Sequence, residues 1–233
     1  MRDQFLRHSR EPIFSNISPI ILTFIALCGL FYILPAYFFS SQQYEQFYRD
    51  YAFIPALFSH NHSHFQAALT SLSYSFLHAD SMHLIFNMAW LLIFGTPLAN
   101  RIGTIGFIIF WIFMSVFSIL GYYFCVGDDF TLVIGASGVI SAMMGAGARY
   151  AFQRAQLSNG RIAFGGTILP VRIVWCIPAV RMILCFWIVS DLLYAFSSSF
   201  MGAGGYNIAW QVHIFGLLAG FFFIPFFDSK RSF

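Results

Sequence analysis

Val133-Ile134-Gly135-Ala136-Ser137-Gly138-Val139-Ile140-Ser141 lies inside an apolar stretch that runs over 130–148. If these small residues are the packing stripe of a membrane helix, Ser137 is there to let two backbones approach. If they surround a buried polar site, Ser137 is a nucleophile. Composition decides the setting of both readings. Of the 233 residues 59% are hydrophobic, 20% aromatic and 9% charged, which leaves too little polar surface to cover a water-soluble globule of this size. The chain belongs in a lipid bilayer.

Working outward, six apolar segments appear at 17–39, 81–99, 103–125, 130–148, 177–197 and 207–227, each bounded by charge or turn residues. Each approaches the roughly 20 residues needed to cross a hydrocarbon core about 30 Å thick. The expected fold is an all-α membrane protein with six transmembrane helices. A cytoplasmic segment 1–16 precedes a single domain, 17–227, and a cytoplasmic tail 228–233 follows it. The head MRDQFLRHSR is too charged for a secretory signal, so the first segment is expected to be a retained anchor. The formal charge of +3 is small and its Lys and Arg residues are dispersed, which argues against a nucleic-acid partner. Cys28, Cys125, Cys176 and Cys185 show no paired spacing and are expected to be buried apolar residues rather than disulfide partners or metal ligands.

Orientation follows from the positive charges. Arg2, Arg7 and Arg10 precede the first segment, Arg101 separates the second and third, and Arg149, Arg154, Arg161 and Arg172 follow the fourth. Arg181 opens the fifth, and Lys230 and Arg231 end the chain, whereas Arg49 alone falls on the opposite side. Both termini are therefore expected in the cytoplasm, with 40–80, 126–130 and 198–206 outside. Counting back from Arg101, Arg149 and Asp228 then sets the depths of Asn87, Ser137 and His213. At 1.5 Å per residue they stand roughly 21, 18 and 22 Å above the inner surface, close to one level. Polar and ionisable residues at such a depth are costly in lipid and are functional candidates.

The residue types at this level suit acyl transfer. In HADSMHLIFNMAW (78–90), His83 and Asn87 are four apart on one helix face and can donate hydrogen bonds toward one point. In QVHIFGLLAG (211–220), His213 shares a face with Gly216 and Gly220, whose G-x-x-x-G spacing admits a close helix neighbour. Gly138, Ala142 and Ala146 supply a matching stripe beside Ser137, so the fourth and sixth helices are expected to pack backbone to backbone. That packing brings the Ser137 hydroxyl within reach of His213, an activated-nucleophile pair, with His83, Asn87 and the Ser137 N–H as oxyanion donors. Taken singly, each feature has a structural reading: small residues for packing, a hydrogen-bonded histidine, a polar seam between helices.

Together FLHADSMHLIFNMAWLLIFG (76–95), GASG (135–138) and HIFGLLAG (213–220) make the chain similar to the rhomboid intramembrane serine proteases, with the motifs in the family's order. The resemblance implies a rhomboid-type six-helix bundle in which Ser137 is the nucleophile and His213 the general base, a dyad without a carboxylate. It further implies that His83 and Asn87 stabilise the oxyanion, and that His78, Gly135, Gly138, Gly216 and Gly220 have structural roles near the site. No cofactor and no metal are implied. Implied substrates are single-span or multi-span membrane proteins, cut within or next to a transmembrane segment. The loop 40–80 would lie partly in the membrane, and the fifth helix would border the route of substrate entry. A multi-pass protein of a bacterial plasma (inner) membrane is the expected location.

The chain departs from the family pattern at two places. The Trp-Arg pair that many rhomboids carry in the first external loop is missing, and YRDYAFIPALF (48–58) stands in its place. Some members stack a Tyr, four residues after the nucleophile, on the catalytic histidine; here that position is Ser141. Asp80 counts to the outer surface and is expected to cap the second helix. Asp191 counts to about 15 Å above Arg181, where it could orient His213. A hydrogen-bonded packing role or a water contact is the expectation, so Asp191→Asn should leave turnover nearly unchanged. His60, His62 and His64 alternate along a loop and are expected to be solvated rather than metal-binding. The competing function classes are a non-proteolytic rhomboid-like protein that binds or escorts membrane clients, and a metal-dependent enzyme or transporter built on the histidines.

Overall fold

The computed structural model describes residues 17–60, 63–151, 154–156, 162–164, 166–200 and 209–228. The expected cytoplasmic segment 1–16, positions 229–233 and His62 lie outside these, as does the side chain of His60. Helix α1 (Pro19–Phe38) opens with proline, whose missing N–H is an orphan at that position anyway. Three short helices follow, α2 (Ser41–Tyr51), α3 (Pro55–His60) and α4 (His64–Ser73), and a 3-10 turn at Tyr74–Phe76. Ser40 and Gln43 form a reciprocal capping box on α2, and Ser63 caps α4 by accepting from the Gln66 N–H. Helix α5 (Ser81–Trp90) is capped by Asp80, whose Oδ1 accepts from the His83 N–H at 2.9 Å, as its position in the sequence implies.

A π turn at Leu91–Gly95 carries α5 straight into α6 (Thr96–Val126). The second and third apolar segments thus form one 46-residue run. It breaks at Gly103, where φ 75° and ψ 172° are not helical and φ lies in the region only glycine occupies freely. Among the described residues three stretches are long and apolar enough to cross a membrane, Pro19–Phe38, Ser81–Val126 and Trp210–Phe227. Helix α9 (Pro178–Phe200) has 23 residues, about 35 Å at 1.5 Å each. Helix α10 (Trp210–Phe227) completes the bundle.

The fourth apolar segment does not form the helix expected over 130–148. Helix α7 begins at Ser137 and ends at Tyr150. The residues before it are not helical: Val133 pairs with Phe53 in an antiparallel bridge, its N–H donating to Phe53 O at 2.9 Å, and the Gly135 N–H donates to Tyr74 O at 2.9 Å. Irregular backbone at membrane depth is tolerated where protein covers it or where it lines a cavity. Both conditions hold here, since Val133 and Gly135 are buried yet also border a cleft.

Every residue from Gly138 to Tyr150 is buried, so α7 is the central post of the fold. Its neighbour α10 lies against it backbone to backbone, in agreement with the small-residue stripes. A Cβ at Gly220 would collide with the Ala142 backbone, and one at Gly216 with the Gly138 carbonyl. Such contact supplies the dispersion that holds helices together in lipid, where apolar side chains gain nothing by leaving the hydrocarbon. At the far end of α7 two arginines tie the bundle. Arg149 donates to Leu169 O (2.7 Å) and Phe221 O (2.8 Å), with its guanidinium over the Phe221 ring. Arg101 pairs with Asp228 at 2.6 Å, donates to Gly166 O at 2.7 Å and covers the Tyr150 ring.

Between α7 and the short helix α8 (Val171–Val174) stand two antiparallel strands, β1 (Arg154–Gln156) and β2 (Ile162–Phe164). The all-α expectation missed them. Their signal was Asn159-Gly160 between the two runs, a favoured hairpin turn dipeptide. The cysteines need a second correction: Cys28 is buried, but Cys125, Cys176 and Cys185 are exposed, and all four are free thiols. The surface around them carries exposed Ile105, Phe124, Met182, Phe186 and Leu193. On a surface covered by lipid an apolar thiol loses nothing by facing outward.

Candidate active site

The N-terminus of α7 and the first turns of α10 and α5 surround a cleft of about 1120 Å³. Because α7 starts at Ser137, the hydroxyl projects from the first residue of a helix into that cleft. Its Oγ lies 2.8 Å from His213 Nε2, a pairing of residues 76 apart in the chain. The approach of α7 and α10 at Gly138, Gly216 and Gly220 makes this distance possible, because any side chain at those glycines would hold the helices apart.

His83 and Asn87 line the same cleft from α5. Gly135 explains how close His83 comes: a Cβ there would lie 2.8 Å from His83 Nε2 and 3.6 Å from Ser137 Oγ. Both side chains therefore look onto one spot above a glycine whose φ of 122° lies outside the range of ordinary residues. Asn87 is buried and donates from Nδ2 to His83 O at 2.9 Å, one helical turn back. That leaves its second amide hydrogen for the cleft.

His78 stands behind this group rather than in it. It is fully buried and packs edge-on against His83, with ring centroids 5.1 Å apart. Its carbonyl accepts from Tyr48 OH at 2.7 Å, which ties the α2 loop to the start of α5. Burial pushes the His78 imidazole down to about 3, and the adjacent His83 adds to the depression. It is a neutral ring that props another ring.

Asp191 has a partner that the sequence reading leaves open. Its Oδ1 lies 3.0 Å from His213 Nδ1, on the side of the imidazole opposite Ser137. Trp187, one turn earlier on α9, donates from Nε1 to Ser141 Oγ at 3.2 Å. The hydrogen-bonding partner of Asp191 is thus the imidazole itself. The sequence held a signal for this contact: the counted depth of Asp191 falls within a few ångströms of that of Ser137, and Trp187 and Asp191 share a helix face.

A family model described as Rhomboid domain matches residues 66–229, which contain every side chain named above except Tyr48. The chain belongs to the rhomboid family. It is 26% identical over 234 aligned residues to Rhomboid protease GlpG of Yersinia pestis (strain Pestoides F), an alignment covering 94% of this chain and 66% of that protein. The same name and the same figures apply to a relative from Yersinia pseudotuberculosis serotype O:3 (strain YPIII). The protein so named from Yersinia enterocolitica serotype O:8 is 25% identical over 223 residues. The chain spans about two thirds of the length of the curated relatives it matches. Within this rhomboid chain, Ser141, four residues after Ser137, is engaged by Trp187.

Proposed function

We propose that this chain is an intramembrane serine endopeptidase that cleaves membrane-anchored proteins within or next to a transmembrane segment. The observation that carries the reading is Ser137 Oγ at 2.8 Å from His213 Nε2, on the wall of a cleft among apolar helices. Membership of the rhomboid family and the name its relatives carry, rhomboid protease, support it. The bundle spans the membrane six times with both termini in the cytoplasm, in a bacterial inner membrane, with 17–227 as its catalytic domain. Single-span and multi-span membrane proteins are the substrates, and no cofactor takes part.

In the first step His213 Nε2 accepts the Ser137 proton as Oγ bonds to the substrate carbonyl carbon. The carbonyl π pair moves onto oxygen, where His83, the free amide hydrogen of Asn87 and the Ser137 N–H face the developing charge. The tetrahedral species collapses, the C–N bond breaks, and His213 returns its proton to the leaving amine. Water then repeats the sequence on the acyl-enzyme. Gly135 keeps the His83 ring close, and Gly138, Gly216 and Gly220 set the α7–α10 distance.

The test is cleavage of a single-span substrate in liposomes by the purified protein and by Ser137→Ala and His213→Ala, read by gel and mass spectrometry. The wild type should cut at a defined bond while both folded variants lose about 10⁴-fold or more in rate. Variants that cut as well as wild type would end the reading.

A further inference from the structure

We propose that Asp191 is the positioning residue of this site, a carboxylate on α9 that holds His213 from behind and completes a Ser137–His213–Asp191 triad. The inference rests on the serine endopeptidase reading and goes beyond the two-residue dyad that the motifs imply.

Three observations carry it. The imidazole is gripped at both nitrogens, Nε2 by Ser137 Oγ at 2.8 Å and Nδ1 by Asp191 Oδ1 at 3.0 Å. An ionised carboxylate only accepts, so the Nδ1 side must carry the hydrogen and the Nε2 side must present its lone pair to the serine. That is the tautomer a general base needs, and the opposite tautomer would leave Ser137 with no acceptor. Secondly, the Asp191 side chain is 13% exposed and its Oδ2 has no partner among the described residues. A carboxylate on a membrane helix is costly unless paired, and its one described partner is the histidine. Thirdly, Ser141 cannot do this work. Its hydroxyl accepts from Trp187 Nε1, and it has no ring to stack on His213.

Asp191 acts through His213 and does not touch substrate. When Nε2 takes the Ser137 proton, the new imidazolium lies against the carboxylate, which stabilises the charge without itself accepting the proton. The proton leaves again from Nε2 to the departing amine. Trp187 reaches α7 and Asp191 reaches α10 from one face of α9, so the seating of α9 sets the orientation of the base.

The full chain in liposomes tests this with a single-span substrate and with a fluorophosphonate probe that reports the nucleophilicity of Ser137 without needing a natural client. For Asp191→Asn and Asp191→Ala, kcat and the rate of probe labelling should both fall by roughly 10²-fold or more, with KM within about threefold and the thermal midpoint little changed. Asp191→Glu, which keeps the carboxylate, should recover at least tenfold of that loss. Labelling and kcat within threefold of wild type in both neutral variants would overturn the proposal while leaving the protease reading intact. A loss that tracks the thermal midpoint and is not recovered by Asp191→Glu would overturn it in favour of a packing role. A wild type that neither cuts nor labels at Ser137 would overturn the endopeptidase reading, and this proposal with it.

Discussion

Arg149 and Ser137 stand near opposite ends of α7, and the polar groups around them are treated in opposite ways. At the arginine end, Arg149 and the Arg101–Asp228 pair are closed off by carbonyls, aromatic faces and each other. Arg101 Nε there has no hydrogen-bond partner among the described residues. At the serine end, Ser137, His213 and Asp191 form a chain in which each group borders a cleft. A satisfied buried ion pair contributes rigidity and no chemistry. A hydrogen-bonded chain that ends on open space can pass a proton to whatever enters that space. The same helix pair thus carries a lock at one end and a reactive group at the other. Changes at the first should move stability, and changes at the second should move rate.

The largest expected effect outside the reacting residues is at Gly135. Gly135→Ala places a methyl 2.8 Å from His83 Nε2, so the ring must swing away. Losing one oxyanion donor lowers kcat by about 10²–10³-fold; the φ of 122° strains an alanine as well, by about 1–3 kcal/mol, so the rate is taken per folded molecule. Steady-state cleavage beside a thermal unfolding scan checks this, and a stability loss without a rate loss would break the contrast. Next comes Asp228→Ala, which strands the Arg101 guanidinium in a site where it is 12% exposed. It should lower the unfolding free energy by about 3 kcal/mol and leave the rate per folded molecule as it was, measured by denaturant unfolding in micelles and by active-site titration.

The smallest effect sharpens the contrast from the boundary of the site. His78 stays neutral in the fold down to about 3, whereas an unfolded imidazole takes a proton below about 6.5. Acid therefore favours the unfolded chain, and this contribution to stability, complete above about pH 6.5, fades as pH falls toward 3. The slope from this one group is at most about 1.4 kcal/mol per pH unit. Unfolding of wild type and of His78→Gln at pH 7 and pH 5 should show the smaller acid loss in the variant. Equal losses would mean that His78 is hydrated in the fold.

Much of this was legible in the chain because lipid imposes simple demands. An element that crosses hydrocarbon must be long and apolar, so α1, the joint near Gly103 and α10 fall close to where the apolar runs place them. Residues that must meet at one depth can be counted from the flanking charges, which put Ser137, His213 and Asn87 at a common level. Asp80 as a helix cap follows from local chemistry alone. What counting along helices misjudged was α7, because Val133 and Gly135 make their backbone bonds with Phe53 and Tyr74, partners from a loop far away in sequence. An apolar run does not reveal whether its hydrogen bonds close within the segment or outside it.

By itself, then, the sequence determined a bilayer protein, the order and depth of its polar motifs, and the two small-residue stripes that must face each other, since these depend on composition and on fixed rise per residue. Tertiary structure alone decided where α7 starts, that Gly135 holds the place for the His83 ring, and that Asp191 of α9 lies against His213 of α10. The physical reason is that a helix's rotation and tilt about its neighbours are set by the sum of side-chain contacts along its length. One hydrogen bond at 3.0 Å depends on that rotation, and no periodicity in the chain encodes it.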